Sequence, residues 1–225
     1  MLSSSRTMVE ELGISHRLYE TEVFVGRIDL LEGDAPAAER ALRAGYDGLR
    51  ELGLGIDAAR AAALLGRALL AQDRAAEAET LSHESELLAG DDLQAAIAWR
   101  GVRAEALARR GDHAAAIGFA EAAVAIAAAT DALLDHADAR LALAAAFRAG
   151  GRRAEADAEE RRAFELWEAK GATVLAERAR RTRPADPAPA AAPNGRAGAS
   201  RSTARRVHAN EASALAARFE AAFAA

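Results

Sequence analysis

The chain has 225 residues, a formal net charge of −5, 65 alanines, 4% aromatic residues and no cysteine. Without cysteine there are neither disulfides nor thiolate chemistry, and the acidic balance argues against a broad phosphate-binding surface and so against a nucleic-acid partner. Alanine is the strongest helix former but contributes little buried area, so many closely packed helices fit better than one bulky core.

The opening segment MLSSSRTMVEELG has no apolar stretch of signal-peptide length. The most apolar stretch, residues 114–129, is broken by Glu121 and falls short of the roughly 18 to 20 apolar residues of a membrane span. These features predict a soluble, cytoplasmic protein with no membrane partner. MVEELGISHR matches GLRELGLGID forty residues later, so residues 6–12 are read as the end of a second helix whose partner lies outside the chain, a partial first repeat. Periodicity then predicts helices over 16–32, 36–52, 57–71, 75–89, 93–109, 113–129, 132–149 and 153–180, which is four hairpins.

Gly33, Asp73, Gly111 and Gly151 each follow one apolar helical run and precede another, at spacings of 40, 38 and 40 residues. Gly33 and Gly111 suit the left-handed residue that ends a helix, and Asp34 and Asp112 the N-cap of the next. The second turn lacks the glycine and the fourth lacks the cap. Around each turn, small residues recur: Gly26, Gly66, Ala104 and Ala144 before it, then Ala38, Ala78, Ala116 and Ala156, then Gly45, Ser85, Ala123 and Ala163 after it. Small side chains at matched positions let helix axes approach. Val25, Leu65 and Leu143, with Leu69, Leu107 and Phe147 one turn on, form the apolar stripe expected around those crossings.

Four of the five prolines fall in residues 181–206, whose Pro, Ala, Gly, Ser and Arg content predicts a flexible linker. Residues 181–225 carry seven arginines against three acidic residues, leaving −9 on residues 1–180. Residues 207–225 regain helical periodicity, with Leu215, Phe219 and Phe223 on one face. That amphipathic helix is a candidate for self-association.

The domain reading is therefore helical repeats over 1–180, a linker over 181–206 and a terminal helix over 207–225. Small residues twelve and then seven apart resemble the tetratricopeptide repeat, although the usual first-helix aromatics and closing proline are missing and the period exceeds 34. The resemblance implies an all-α, tetratricopeptide-like α-solenoid. LLEGDAPAAERALRAGYDGLRELG, AAALLGRALLAQDRAAEAETLSHESELLAG, WRGVRAEALARRGDHAAA and ELWEAKGATVLAERAR, taken in order, resemble the C-terminal helical array of bacterial adenylate/guanylate cyclase-type multidomain signalling proteins. RRVHANEASALAARFEAAFAA resembles the lead-in to a SnoaL-like domain found in some of them. The implied role is a non-enzymatic interaction or regulatory module, with the enzymatic domains outside this chain; the alternative is a free-standing homodimeric adaptor.

No residue set points to catalysis or a cofactor. The P-loop pattern is missing, and Gly53-Leu54-Gly55 lacks the third glycine and the strand of a dinucleotide site. Five scattered histidines lack zinc-ligand spacing, and His136 between Asp135 and Asp138 reads as solvated surface. Ser82-His83-Glu84-Ser85 holds triad residue types, but helix neighbours point apart. Trp99 and Trp167 read as core packing. In tetratricopeptide arrays the first helices line the concave groove, so the resemblance places Arg27, Arg60, Arg67, Arg109 and Arg148 on or near it. Bidentate arginines there would recognise the carboxylates of an acidic protein or peptide.

Overall fold

The computed structural model describes residues 2–172 and 175, with side chains described from residue 13 onward. The described residues are all-helical and contain no strand: α1 (Leu2–Glu32), α2 (Ala35–Glu51), α3 (Gly55–Leu70), α4 (Ala75–Ala89), α5 (Leu93–Arg110), α6 (His113–Ala128), α7 (Leu133–Ala149) and α8 (Arg153–Lys170). These lie in the unit Met1–Arg183; the second unit, Pro184–Ala225, is outside the described residues. The expected linker, 181–206, and terminal helix, 207–225, lie outside the described residues. Successive helices pack on one another, and α5 also lies against both α3 and α7. The odd-numbered helices thereby form a connected layer.

Turn chemistry explains the hairpins. Gly33, Gly111 and Gly151 have φ of 88°, 87° and 78°, and Asp73, at 59°, is the one non-glycine with positive φ among the described residues. Aspartate tolerates this conformation better than most side chains. At all four turns the residue after the left-handed one returns its N–H to a carbonyl five residues back: Asp34 to Asp29, Arg74 to Leu69, Asp112 to Leu107 and Arg152 to Phe147, at 2.9 to 3.0 Å. Asp34 and Asp112 then cap α2 and α6 by accepting from the N–H groups of Ala37 and Ala115 at 2.9 and 3.2 Å. Arg74 and Arg152 provide no side-chain cap. They pair instead with Glu77 and Glu155 in the first turn of α4 and α8.

All twelve recurring small residues are buried. A Cβ at Gly26 would fall 2.5 Å from Leu42 Cγ, one at Gly45 2.7 Å from Val23 Cγ2, and one at Gly66 2.8 Å from Val102 Cγ1. Gly48, which the sequence pattern did not single out, is tighter still, because a Cβ there would collide with the Tyr19 ring. Around these crossings the largest core cluster gathers Leu42, Tyr46, Leu49, Leu65, Leu69 and Val102. Leu143 and Phe147 anchor a second cluster.

The structure corrects three boundaries or placements. Residues 6–12 do not end a separate helix, because α1 runs unbroken from Leu2 through Gly13. Gly13 has open space where a Cβ would be, and Ile14 beside it is 70% exposed, so nothing draws the chain into a turn. At the matched Gly53, φ is 73° and Leu54 returns its N–H to Leu49 while packing on the core. The last helix stops at Lys170 rather than running through 171–180, since Gly171 adopts φ 76° and returns its N–H to the Glu168 and Trp167 carbonyls. Val25, expected in the buried stripe, is 42% exposed because it lies off the face of α1 that meets α2, which Tyr19, Val23 and Gly26 form.

Glu39 ties the first hairpin to the second. It accepts from Arg43 at 2.8 Å on its own helix, from Gln72 at 2.9 Å and from Arg74 at 2.6 Å across the hairpin boundary. The Arg43 bond, aided by Gln72 and Arg74, holds its carboxyl down at about 2 from an ordinary 4.5. A depressed pKa stabilises the fold above the unfolded value and loses that contribution as pH falls through the folded one. Urea midpoints followed from pH 4.5 to pH 2 should therefore drop less in Glu39→Gln than in the parent chain.

The crossings give a second prediction. Gly66→Leu and Ala116→Leu each overpack a helix contact and should cost about 1 to 3 kcal/mol. Gly118 lies exposed in α6 with open space at its Cβ position, so Gly118→Ala should add about 0.4 to 1 kcal/mol. Chemical denaturation measures all three; equal stability of Gly66→Leu and the parent would refute the crossing.

Candidate functional site

Helices α1, α3, α5 and α7 enclose a cavity of about 740 Å³, with Trp167 of α8 at its wall. The odd-numbered layer creates it, since each of those helices turns one face toward α2, α4, α6 or α8 and another toward the cavity. Of the five arginines expected on a groove, Arg27, Arg60, Arg67 and Arg109 line this one. Arg148 does not; it pairs with Glu160 at 2.7 Å and Asp157 at 3.3 Å on α8.

Three of the four arginines are engaged by the chain's own acids. Arg60 holds Asp92 through two bonds, Nε to Oδ1 at 3.0 Å and Nη2 to Oδ2 at 2.5 Å. That bond keeps the Asp92 carboxyl below its ordinary value, and Asp92 also caps α5 by accepting from Ala95 N–H at 2.8 Å. Arg109 donates to Glu105 at 3.3 Å and to the Leu70 carbonyl at 3.4 Å. Arg67 of α3 reaches Asp138 of α7 at 2.6 Å, passing over α5. Ala98 and Gly101 are among the α5 residues that line the cavity. The attraction of Asp138 holds Arg67 protonated more firmly than usual. Arg27 is exposed and, among the described residues, has no direct ion pair; its electrostatic neighbour is Asp135.

Asp135 and Asp138 are the site residues that sequence reasoning missed, having been read with His136 as surface. They sit three apart on α7, a spacing that puts both on one helix face, and that face lines the cavity. Burial raises the Asp135 pKa, with Asp138 adding to the effect, while Gln94 donates to it at 3.4 Å. His136 points elsewhere, toward Arg140 and Glu159, and its pKa is lowered chiefly by burial. Phe24 and Leu31, 63% and 48% exposed, supply an apolar lip on α1.

The remaining candidates are structural. Ser82 and Ser85 are buried, and their hydroxyls donate to the carbonyls of Glu79 at 2.6 Å and Ala59 at 2.7 Å, whereas His83 is mostly exposed. Trp99 packs edge-on to Phe119 with the guanidinium of Arg103 4.4 Å from its ring centre. Among the described residues no cluster of His, Cys, Asp or Glu is arranged to hold a metal, and no helix is long and apolar enough to cross a membrane.

No family model and no curated protein matches the chain. Among solved structures it is similar to BtubC (BKLC) from P. vanneervenii, at 17% identity and a TM-score of 0.50, over 84% of this chain and 71% of that one. At that identity the likeness is one of fold.

The Arg67–Asp138 bridge is a little over a third exposed on both sides, which limits its strength. A double-mutant cycle on Arg67→Ala and Asp138→Ala should give a coupling of about 0.2 to 1 kcal/mol that shrinks in high salt. Zero coupling at low salt would mean that the bridge does not form.

Proposed function

We propose that this chain is a non-enzymatic interaction module, a tetratricopeptide-like solenoid that takes an acidic, amphipathic peptide segment in the cavity between its first helices. The observation that carries the reading is the convergence of four arginines from three hairpins, Arg27 on α1, Arg60 and Arg67 on α3 and Arg109 on α5, on one apolar-lipped cavity. Arg27 stands ready for a partner carboxylate. The bonds of Arg60 and Arg109 to their own acids are partly exposed, so each is worth little and exchanges readily for a carboxylate from a partner. Phe24 and Leu31 cover the apolar side of the same peptide.

The resemblance to cyclase-type signalling proteins extends this reading to a regulatory array that passes partner binding to attached domains. An immunoblot from source cells with an antibody to residues 1–172 separates that arrangement, with a band well above 23.5 kDa, from a free-standing adaptor.

Fluorescence polarisation with paired peptide sets tests the groove, one set alternating Glu with Leu and Phe, the other Lys with the same apolar residues. The acidic set should bind, and Arg27→Gln should weaken it at least fivefold with little change in the melting temperature, because Arg27 makes no direct ion pair among the described residues and only a longer-range attraction to Asp135 is lost. Preference for the basic set would reverse the assignment.

A further inference from the structure

Arg67 and Asp138 form, among the described residues, the one ion pair that joins hairpins not adjacent in the chain. The other ion pairs between hairpins link neighbours. Arg67 belongs to the second hairpin and Asp138 to the fourth, and their helices, α3 and α7, do not pack on each other. Stacked hairpins touch only the next in line, so packing fixes the spacing of the second and fourth only through the third. The bridge, at 2.6 Å, adds a direct tie between them on the cavity side.

Asp138 also differs from the acids that hold the other groove arginines. Asp92, bonded to Arg60, caps α5, and Glu105, bonded to Arg109, lies one turn away on the same helix. Asp138 makes no other hydrogen bond or ion pair among the described residues. Its carboxylate can therefore leave Arg67 without uncapping a helix, and both side chains reach water.

We infer that Asp138 is an internal stand-in for a partner's carboxylate, occupying Arg67 and strapping the second hairpin to the fourth until a ligand displaces it. The inference rests on the acidic-peptide reading of the cavity and adds its regulation. A displaced Asp138 stands beside the incoming carboxylate and beside Asp135, three residues earlier on the same helix face, and like charges that close repel. α7 therefore moves away from α3, and occupancy of the groove becomes a change in spacing between hairpins that do not touch. The ligand shifts that spacing by no more than its preference for the open state, and a partly exposed bridge makes the preference modest.

The chain has no cysteine, so spin labels can be placed selectively. Ala71→Cys and Ala149→Cys put them at matching exposed positions, each two residues before its turn, on the second and fourth hairpins. Pulsed dipolar spectroscopy on the full chain should give a longer distance in Asp138→Ala and in Arg67→Ala than in the parent. The unlabelled variants should then part in fluorescence polarisation with peptides that alternate Glu with Leu and Phe. Asp138→Ala should bind about two- to fivefold tighter than the parent, and Arg67→Ala should bind more weakly. A merely structural bridge would move both affinities the same way. Saturating peptide should lengthen the parent distance to that of Asp138→Ala, whereas Asp135→Asn, which removes a charge from the same face and breaks no ion pair, should leave it unchanged. An Asp138→Ala chain with the parent's distance or weaker binding, or a parent that binds peptide at constant distance, would overturn the strap and leave the groove reading standing. No binding of the acidic peptides by either chain would overturn both.

Discussion

The close approach of helices at small side chains is the constraint on which the rest of this structure depends. At Gly26, Gly45 and Gly66 a single added carbon would overlap Leu42, Val23 or Val102. The alanine-rich composition follows from it, because a chain that brings many helix axes near one another has little space for large residues between them. Dispersion and apolar burial then come from a few large residues, such as Leu42, Leu65 and Val102, set into the gaps the small ones leave. The odd-numbered layer, and with it the cavity, exists because α3, α5 and α7 can lie side by side at this spacing.

Much of this fold was legible in the sequence, because turn chemistry and side-chain size are local properties. Gly33, Asp73, Gly111 and Gly151 could be recognised as equivalent turns before their backbone angles were known, and the matched small residues around them are all buried. The errors came where one residue type serves two purposes. Glycine permits a left-handed stop without requiring one: Gly13 continues α1, Gly171 ends α8, and the difference lies in whether a neighbouring residue gains a core contact by turning. Arg148 was misplaced for a related reason. Its offset from the turn matches the groove arginines only loosely, and two acids on α8 lie within its reach.

Charge in the cavity was the least legible feature, because an ion pair joins residues that sequence does not relate. Arg67 and Asp138 are 71 positions apart and meet only because the fold brings α3 and α7 to opposite sides of α5. A list of arginines therefore overstates the positive character of the site. Glu20, Asp57, Glu105, Asp135 and Asp138 also line it, so its acids outnumber its arginines. Selectivity must then rest on which groups are already bonded. Arg27 differs from the other three in this respect, and it sits on the same helix as the apolar lip.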